Sequence, residues 1–342
     1  MPDVTAYDRV AAAFDHRETG RVPLWATIQN RPVYEHVLGA ERVGRTHEVS
    51  LDDKIRLHAE VYRVLGIDMS RAHVWPPDPG VVVNGVSTAP QRETTAADIA
   101  AYTPRLPSEA ERDEHVQVYL RVLRADRPAT VFAPTIRGCF CPVYERMGLE
   151  QFSYACADSP AEIERLMEIQ AGYARSMAER WAAHADEVKY VALCDDMAYK
   201  GGLISSPAWM RRVWMPRFAT ILQPLLKAGI RVVFHSDGDI TEIIPTLIEL
   251  GVSAINPLEV AAGMDLQEVK RRFGKDLTLI GGVDCSELLP RRTPAEIRDR
   301  VRKVLDIGSP GGGFIIGDTS QITPDTPIEN VLAFYQTAHE YR

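Results

Sequence analysis

An α/β protein folded as one (β/α)8 TIM-type barrel is what this 342-residue sequence predicts, and three observations predict it. Eight short runs rich in β-favouring residues recur along the chain, and most are followed by a stretch of helical periodicity. Strand alternating with helix at ~25 to 40 residues per unit requires parallel strands joined by crossover helices. No Gly-x-Gly-x-x-Gly turn follows the first strand, so an open dinucleotide-binding sheet lacks its phosphate turn.

In chain order, an N-terminal helix precedes strands at 22–29 (VPLWATIQ), 68–74 (DMSRAHV), 129–138 (ATVFAPTIRG), 190–197 (YVALCDDM), 231–237 (RVVFHSD), 252–260 (VSAINPLEV), 277–284 (LTLIGGVD) and 312–319 (GGFIIGDT). The segment 206–229 starts at a Ser cap with a first-turn Pro and closes on Gly, which marks a helix; 240–251, 264–274 and 293–308 repeat the scheme. Residues 75–128 break the pattern: the Pro/Gly-punctuated WPPDPGVVVNGVSTAP reads as a hairpin, with a helix around 108–125. This long insertion after the second strand is expected to overhang the barrel mouth as a lid. SPGGGF (309–314) precedes the eighth strand and so reads as a turn at the bottom face rather than a phosphate cradle. The whole chain, 1–342, is expected to form a single domain.

With 45% hydrophobic and 25% charged residues, the composition supports a sizeable core and excludes a disordered chain. A net charge of −8 argues against a nucleic-acid partner, which would need clustered cations. No apolar run reaches the ~20 residues that span a bilayer, and the polar, acidic N-terminus does not read as a secretory signal. A cytoplasmic protein with reduced thiols and a small-molecule substrate is expected, its five cysteines being too few and odd in number for a disulfide framework. Nothing marks a subunit interface, and a homo-oligomer is compatible with the sequence.

In a barrel the C-terminal strand ends share one mouth, where the chemistry takes place. His235 and Asp237 lie two apart at the end of the fifth strand, so alternation sends both to the same side: a base with its orienter, or two metal ligands. Asp239 reads as a cap of the next helix. Of the adjacent Asp195 and Asp196, only one can face the cavity; Asp196 is taken as the cavity acid, base or ligand, and Asp195 as a structural hydrogen-bonding group. Arg31 and Arg137 suit an anionic substrate group. Asn256 and Glu259 read as substrate-binding groups or as support for His235. Gln29, Tyr199 and Ser320 complete the candidates for substrate contact. Cys139 and Cys141, two apart after the third strand, are either a thiolate pair completing a metal site with His235 and Asp237, or thiols without a role; Cys156, Cys194 and Cys285 read as core thiols.

RVPLWATIQNR (21–31), CDDMAYKGGLISSPAWMRRVWMPRF (194–218), FHSDGDITEIIPTLIELGVSAINPLE (234–259) and IGGVDCSELLPRRTPAEIRDRV (280–301) with GGGFIIGDTSQITPDTPIENVL (311–332) resemble the uroporphyrinogen decarboxylase superfamily, and more closely its methyltransferase-like branch, which moves methyl groups between corrinoids and thiol or other acceptors. The resemblance covers nearly the whole chain and implies a barrel with its site at the mouth. Two departures limit what it carries. The decarboxylase has an Arg-rich first strand and an Asp after the second, where this chain has IQNRP and Trp75, too few cations for an octacarboxylate. The zinc-dependent methyltransferases have His-x-Cys at the fifth strand and a further Cys after the eighth, where this chain has His235, Asp237 and Ser320.

The leading reading is therefore a methyltransferase, metal-assisted with zinc as the first choice, working with a corrinoid carried by a partner protein. The alternative is a metal-independent decarboxylase or lyase acting on a small carboxylic acid, with Asp196 or His235 moving the proton. A third reading keeps the fold as a binding subunit without turnover.

Overall fold

The computed structural model describes residues 4–45, 50–71, 95–125, 127 and 129–341. All eight expected strands are present. The ring consists of β1 (Leu24–Trp25), β2 (Met69–Arg71), β3 (Val131–Ala133), β4 (Thr135–Arg137), β5 (Tyr190–Cys194), β8 (Arg231–His235), β9 (Ala254–Leu258), β10 (Thr278–Val283) and β11 (Phe314–Asp318); β6 (Ala198–Tyr199) and β7 (Gly202–Leu203) form a small antiparallel hairpin after β5. The ring runs β3-β2-β1-β11-β10-β9-β8-β5-β4, every pair parallel. Its two ends belong to one strand position. Pro134 has no N–H for the ladder and interrupts the expected run 129–138, so β3 pairs with β2 and β4 with β5, while the Pro134 carbonyl still accepts from Ala192 N at 2.7 Å.

Alternation divides each strand between two cores. Trp25, Met69, Val131, Ala133, Tyr190, Ala192, Val233, Ala254, Ile280 and Ile315 point into the ring, and their neighbours pack outward under the helices. The N-terminal helix, Ala6–Phe14, begins with a capping box between Thr5 and Asp8 and stops the bottom of the ring. Val10, Ala13 and Phe14 join the interior cluster, Phe14 lies 4.8 Å from the Tyr190 ring centre, and Thr278 Oγ1 donates to Ala13 O at 3.2 Å. Below β2, the buried Asp68 carboxylate accepts from Arg9 Nε at 2.8 Å, from Arg21 Nη1 at 2.7 Å and from Leu24 N at 2.8 Å, tying helix, loop and strand together.

The expected helices appear with shifted ends. The segment 206–229 is Pro207–Trp209, a π turn Met210–Trp214 and Met215–Lys227; it is capped by Ser206 and ends before Gly229 at φ +72°. Pro294–Gly308 opens with a Thr293/Glu296 capping box. The run 240–251 is shorter than expected, Ile244–Glu249, because Asp239 caps a turn first, accepting from Thr241 N at 3.0 Å. Gly312 at φ +68° lies at the bottom face, where a Cβ would come within 2.7 Å of His16 C, consistent with a turn and no phosphate cradle.

Of the insertion 75–128, residues 75–94 lie outside the described residues, and with them the expected hairpin and Trp75; His73 does so too. The described remainder contains helices Ala96–Ala101 and Glu109–Ala125, and the latter buries Val116, Tyr119, Leu120 and Leu123 in the outer core as an ordinary crossover helix. Among the described residues no helix is long and apolar enough to cross a membrane.

Candidate active site and metal centre

Adjacent carboxylates on a strand take opposite sides, and Asp195 and Asp196 do so at the end of β5. Asp195 is fully buried: it accepts from the backbone amides of Cys139 at 3.1 Å, Phe140 at 2.9 Å and Cys141 at 2.8 Å, and from Trp214 Nε1 at 2.9 Å. Burial raises its pKa, against the pull of these four donors. The structural role expected of it is what it has. The loop passes so close that a Cβ on Gly138 would lie 2.2 Å from the Asp195 carboxyl carbon.

Asp196 turns the other way and meets the end of β8. Ligand atoms of Asp196, His235 and Asp237 lie within 4.8 Å of one another. His235 Nε2 is 3.9 Å from Asp196 Oδ1 and 3.7 Å from Asp237 Oδ1, too far for hydrogen bonds and close to the ~3 to 4 Å that ligands of one small ion keep between them. The ring is 3% exposed and its Nδ1–H donates to Asn256 Oδ1 at 2.8 Å, so the bare Nε2 lone pair is what it presents to the carboxylates. Asp237 N donates to Asp196 Oδ1 at 3.0 Å, Ser320 Oγ reaches Asp237 Oδ2 at 3.4 Å, and Asp237 Oδ1 is buried without a hydrogen-bond partner among the described residues. Ser320 holds φ +145°, a strained value for a residue with a side chain.

Burial, and next the positive charge of Arg71, push His235 down to about 4; burial, and next the negative charge of Asp196, push Asp237 up to about 8. At neutral pH the imidazole is therefore uncharged and Asp237 holds a proton. The cluster can take a divalent cation in exchange for that proton, or deliver the proton to a substrate.

Two guanidinium groups face the cluster, and both feel the charge of Asp196. Arg137, at the end of β4, is ion-paired to Glu145 and touches Cys141 Sγ at 3.2 Å. Arg71, at the end of β2, is 8% exposed, with Nη1 at 3.6 Å from Cys194 Sγ. Arg71 was not among the sequence candidates; period-two alternation from Met69 would have found it, because it shares the inward side with that residue.

Several expectations need correction. Cys139 and Cys141 are not part of the His235–Asp237 cluster. Both thiols are buried, with pKa values pushed well up, chiefly by desolvation, and it is their backbone amides that act, as donors to Asp195. Arg31 lies in the first turn of helix Arg31–Leu38, 66% exposed and bonded to Glu35 at 2.6 Å; with Gln29 it lines a separate surface pocket beside Tyr34 and His58. Regular β1 ends at Trp25, a parallel bridge from Ile28 to Ile322 carries the chain on to Gln29, and Asn30 then caps the helix that bears Arg31. Tyr199 is 58% exposed on the hairpin, and it is its carbonyl that is used, accepting from Asp239 N. Glu259 accepts from Gly238 N at 2.6 Å and so clamps the loop after Asp237, where Gly238 at φ +90° is pressed against Ala198 and Tyr199. Asn256 orients His235, as the second of its two expected roles.

Asp318, at the end of β11, was not foreseen as titratable. Its Oδ2 accepts from Thr27 N at 3.0 Å, its Oδ1 is buried without a hydrogen-bond partner, and burial raises its pKa to about 7. An acid whose pKa is raised by folding holds more protons in the folded state, so its contribution falls as pH rises from about 4 to about 7. Asp318→Asn, which keeps the acceptor oxygen, is expected to flatten the loss of thermal stability across that window. Melting curves at a series of pH values check this, and a slope equal to that of the wild type assigns it to other groups.

A family model described as Uroporphyrinogen decarboxylase (URO-D) matches residues 5–341. The chain belongs to that family. Among the relatives of this URO-D chain, the methylated-thiol–coenzyme M methyltransferase of Methanosarcina mazei is 20% identical over 193 residues, 56% of this chain and 48% of the relative. The uroporphyrinogen decarboxylase of Actinobacillus succinogenes is 34% identical over 96 residues, 28% of this chain and 26% of the relative. The match thus spans about half of the first relative and about a quarter of the second. A solved structure of a methyltransferase from Methanosarcina mazei covers 99% of each chain with a TM-score of 0.73 at 17% identity, which establishes the shared barrel of the URO-D chain.

Proposed function

We propose that this URO-D family member is a metal-assisted methyltransferase acting on a small molecule at the C-terminal mouth, with the methyl group exchanged with a corrinoid on a partner protein. The observation that carries the reading is the bare His235 Nε2 held between Asp196 and Asp237 by the Asn256 hydrogen bond. The set fits a zinc ion: one imidazole nitrogen and two carboxylates are accepted ligands, and the buried Asp237 Oδ1 lacks a hydrogen-bond partner among the described residues. Asp196, His235 and Asp237 would hold it. When bound, it supplies the charge that keeps an acceptor heteroatom deprotonated at neutral pH, as nucleophilic attack on a methyl group requires. The chain's own residues do the positioning: Asn256 fixes the imidazole, Glu259 and Ser320 hold the segment that bears Asp237, and Arg137 places positive charge beside the cluster.

One observation favours a second reading. Asp237 keeps its proton at neutral pH, as a metal-independent decarboxylase or lyase needs. There the carbon–carbon bond to the leaving carboxylate breaks, carbon dioxide departs, and the electron pair left on carbon takes the Asp237 proton.

Elemental analysis of the untagged protein after growth with added zinc, followed by mixing with methylcobalamin and mercaptoethanol, tests the proposal. About one zinc per chain, with zinc-dependent loss of the methylcobalamin spectrum, is expected. Protein that retains no zinc, and is equally inert with and without it, overturns the reading in favour of acid chemistry at Asp237.

A further inference from the structure

We infer that Arg71 is the seat of a carboxylate on the small-molecule substrate, with Thr27 beside it as a second donor. This names the substrate class of the proposed site and rests on reading the barrel mouth as the place of reaction.

The argument begins with what a guanidinium demands. It carries a fixed charge and five N–H donors, and burying it is costly unless a carboxylate or carbonyl oxygens take them up. Other arginines near the barrel obey this: Arg9 and Arg21 grip Asp68, and Arg137 pairs with Glu145. Arg71 is 8% exposed and, among the described residues, forms no ion pair and has one hydrogen bond, the 3.6 Å contact to Cys194 Sγ. That partner is a poor one, because a thiol accepts weakly and burial keeps Cys194 protonated. Among the described residues, most of the donor capacity of Arg71 is unspent.

The acids that act on Arg71 do not fill the gap. Asp196, Asp237 and Asp318 reach it through charge at longer range; the first two belong to the cluster around His235, and Asp318 accepts from Thr27 N. Once the first two serve a cation or a proton transfer there, Arg71 stands as an uncompensated positive charge at the inner wall of the same site. A planar anion with two oxygens matches the guanidinium fork.

Thr27 supplies the independent observation. Trp25 of β1 is in register with Met69 of β2, and both point inward; alternation carried two residues past that pair assigns Thr27 and Arg71 to the same inward side. The Thr27 hydroxyl is buried and, among the described residues, has no hydrogen-bond partner. A guanidinium and a hydroxyl with donors to spare on one inward side, with the charge of Arg71 felt by His235, make the donor set of an anion seat.

The test is calorimetric titration of the full-length protein, zinc-loaded and zinc-free, with mercaptoacetate and with its neutral counterpart mercaptoethanol. The wild type is expected to bind mercaptoacetate roughly 10- to 100-fold more tightly than mercaptoethanol, the value of a charge-assisted bidentate pair. Arg71→Met should abolish that preference by weakening mercaptoacetate alone, and Arg71→Lys should retain it at reduced size, because an ammonium lacks the fork. Absence of a preference in the wild type, or its full persistence in Arg71→Met, overturns the assignment. Should Arg71→Met fail to fold, Arg71→Lys decides, and unchanged affinity there rejects it. A carboxylate preference that persists in protein unable to retain zinc discards the metal-assisted reading while leaving Arg71 in its role.

Discussion

His235→Ala is expected to lower zinc affinity by more than roughly 100-fold, since even a residue that only orients a ligand is worth roughly 10- to 100-fold. The reasoning is one of number and orientation. Three protein atoms converge within 4.8 Å, and only His235 Nε2 among them is fixed by burial and a hydrogen bond at its far nitrogen. Removing it leaves two carboxylates, of which Asp237 is held toward its protonated form by burial and next by the charge of Asp196. Asn256→Ala should fall within the orienting range, because the imidazole remains but can turn. Titration against a chromophoric zinc chelator ranks the three proteins. Wild-type affinity in His235→Ala would show that the imidazole is no ligand, and equal losses in both variants would show that Asn256 does more than orient.

The largest loss of stability is expected at Asp195. Its carboxylate satisfies three consecutive amides and one indole N–H, all in the interior, so Asp195→Ala strands four buried donors at once. Each buried donor left without a partner costs roughly 1–3 kcal/mol. Asp195→Asn is not a mild substitute, because its amide nitrogen would face donors already aimed at the site. Urea unfolding followed by tryptophan fluorescence measures the effect, and the buried Trp214 reports directly on the network. A change below about 1 kcal/mol would show that water replaces the carboxylate at no cost.

The barrel was legible because strands are runs of β-favouring residues closed by polar ones, and several helices carry their own caps, Thr5, Ser206, Asp265 and Thr293 among them. Strand lengths were not: a ladder stops where the neighbouring strand diverges, which is a property of pairs. Arg71 went unnoticed although alternation puts it on the inward side with Met69, and Arg31 lies exposed in the first turn of a helix, paired with Glu35. His235 and Asp237 were legible because alternation is local. Asp195 and Asp196 could be told apart for the same reason. Cys139 and Cys141 misled because sequence displays side chains, whereas this turn works through its backbone.

The N-terminal helix has a consequence for traffic. With Val10, Ala13 and Phe14 set among the lowest interior side chains, the vessel is corked at one end. Among the described residues that end offers no way out, so on the proposed reading both reactants would come and go from the mouth, and a lingering product there would stand in the way of the next arrival.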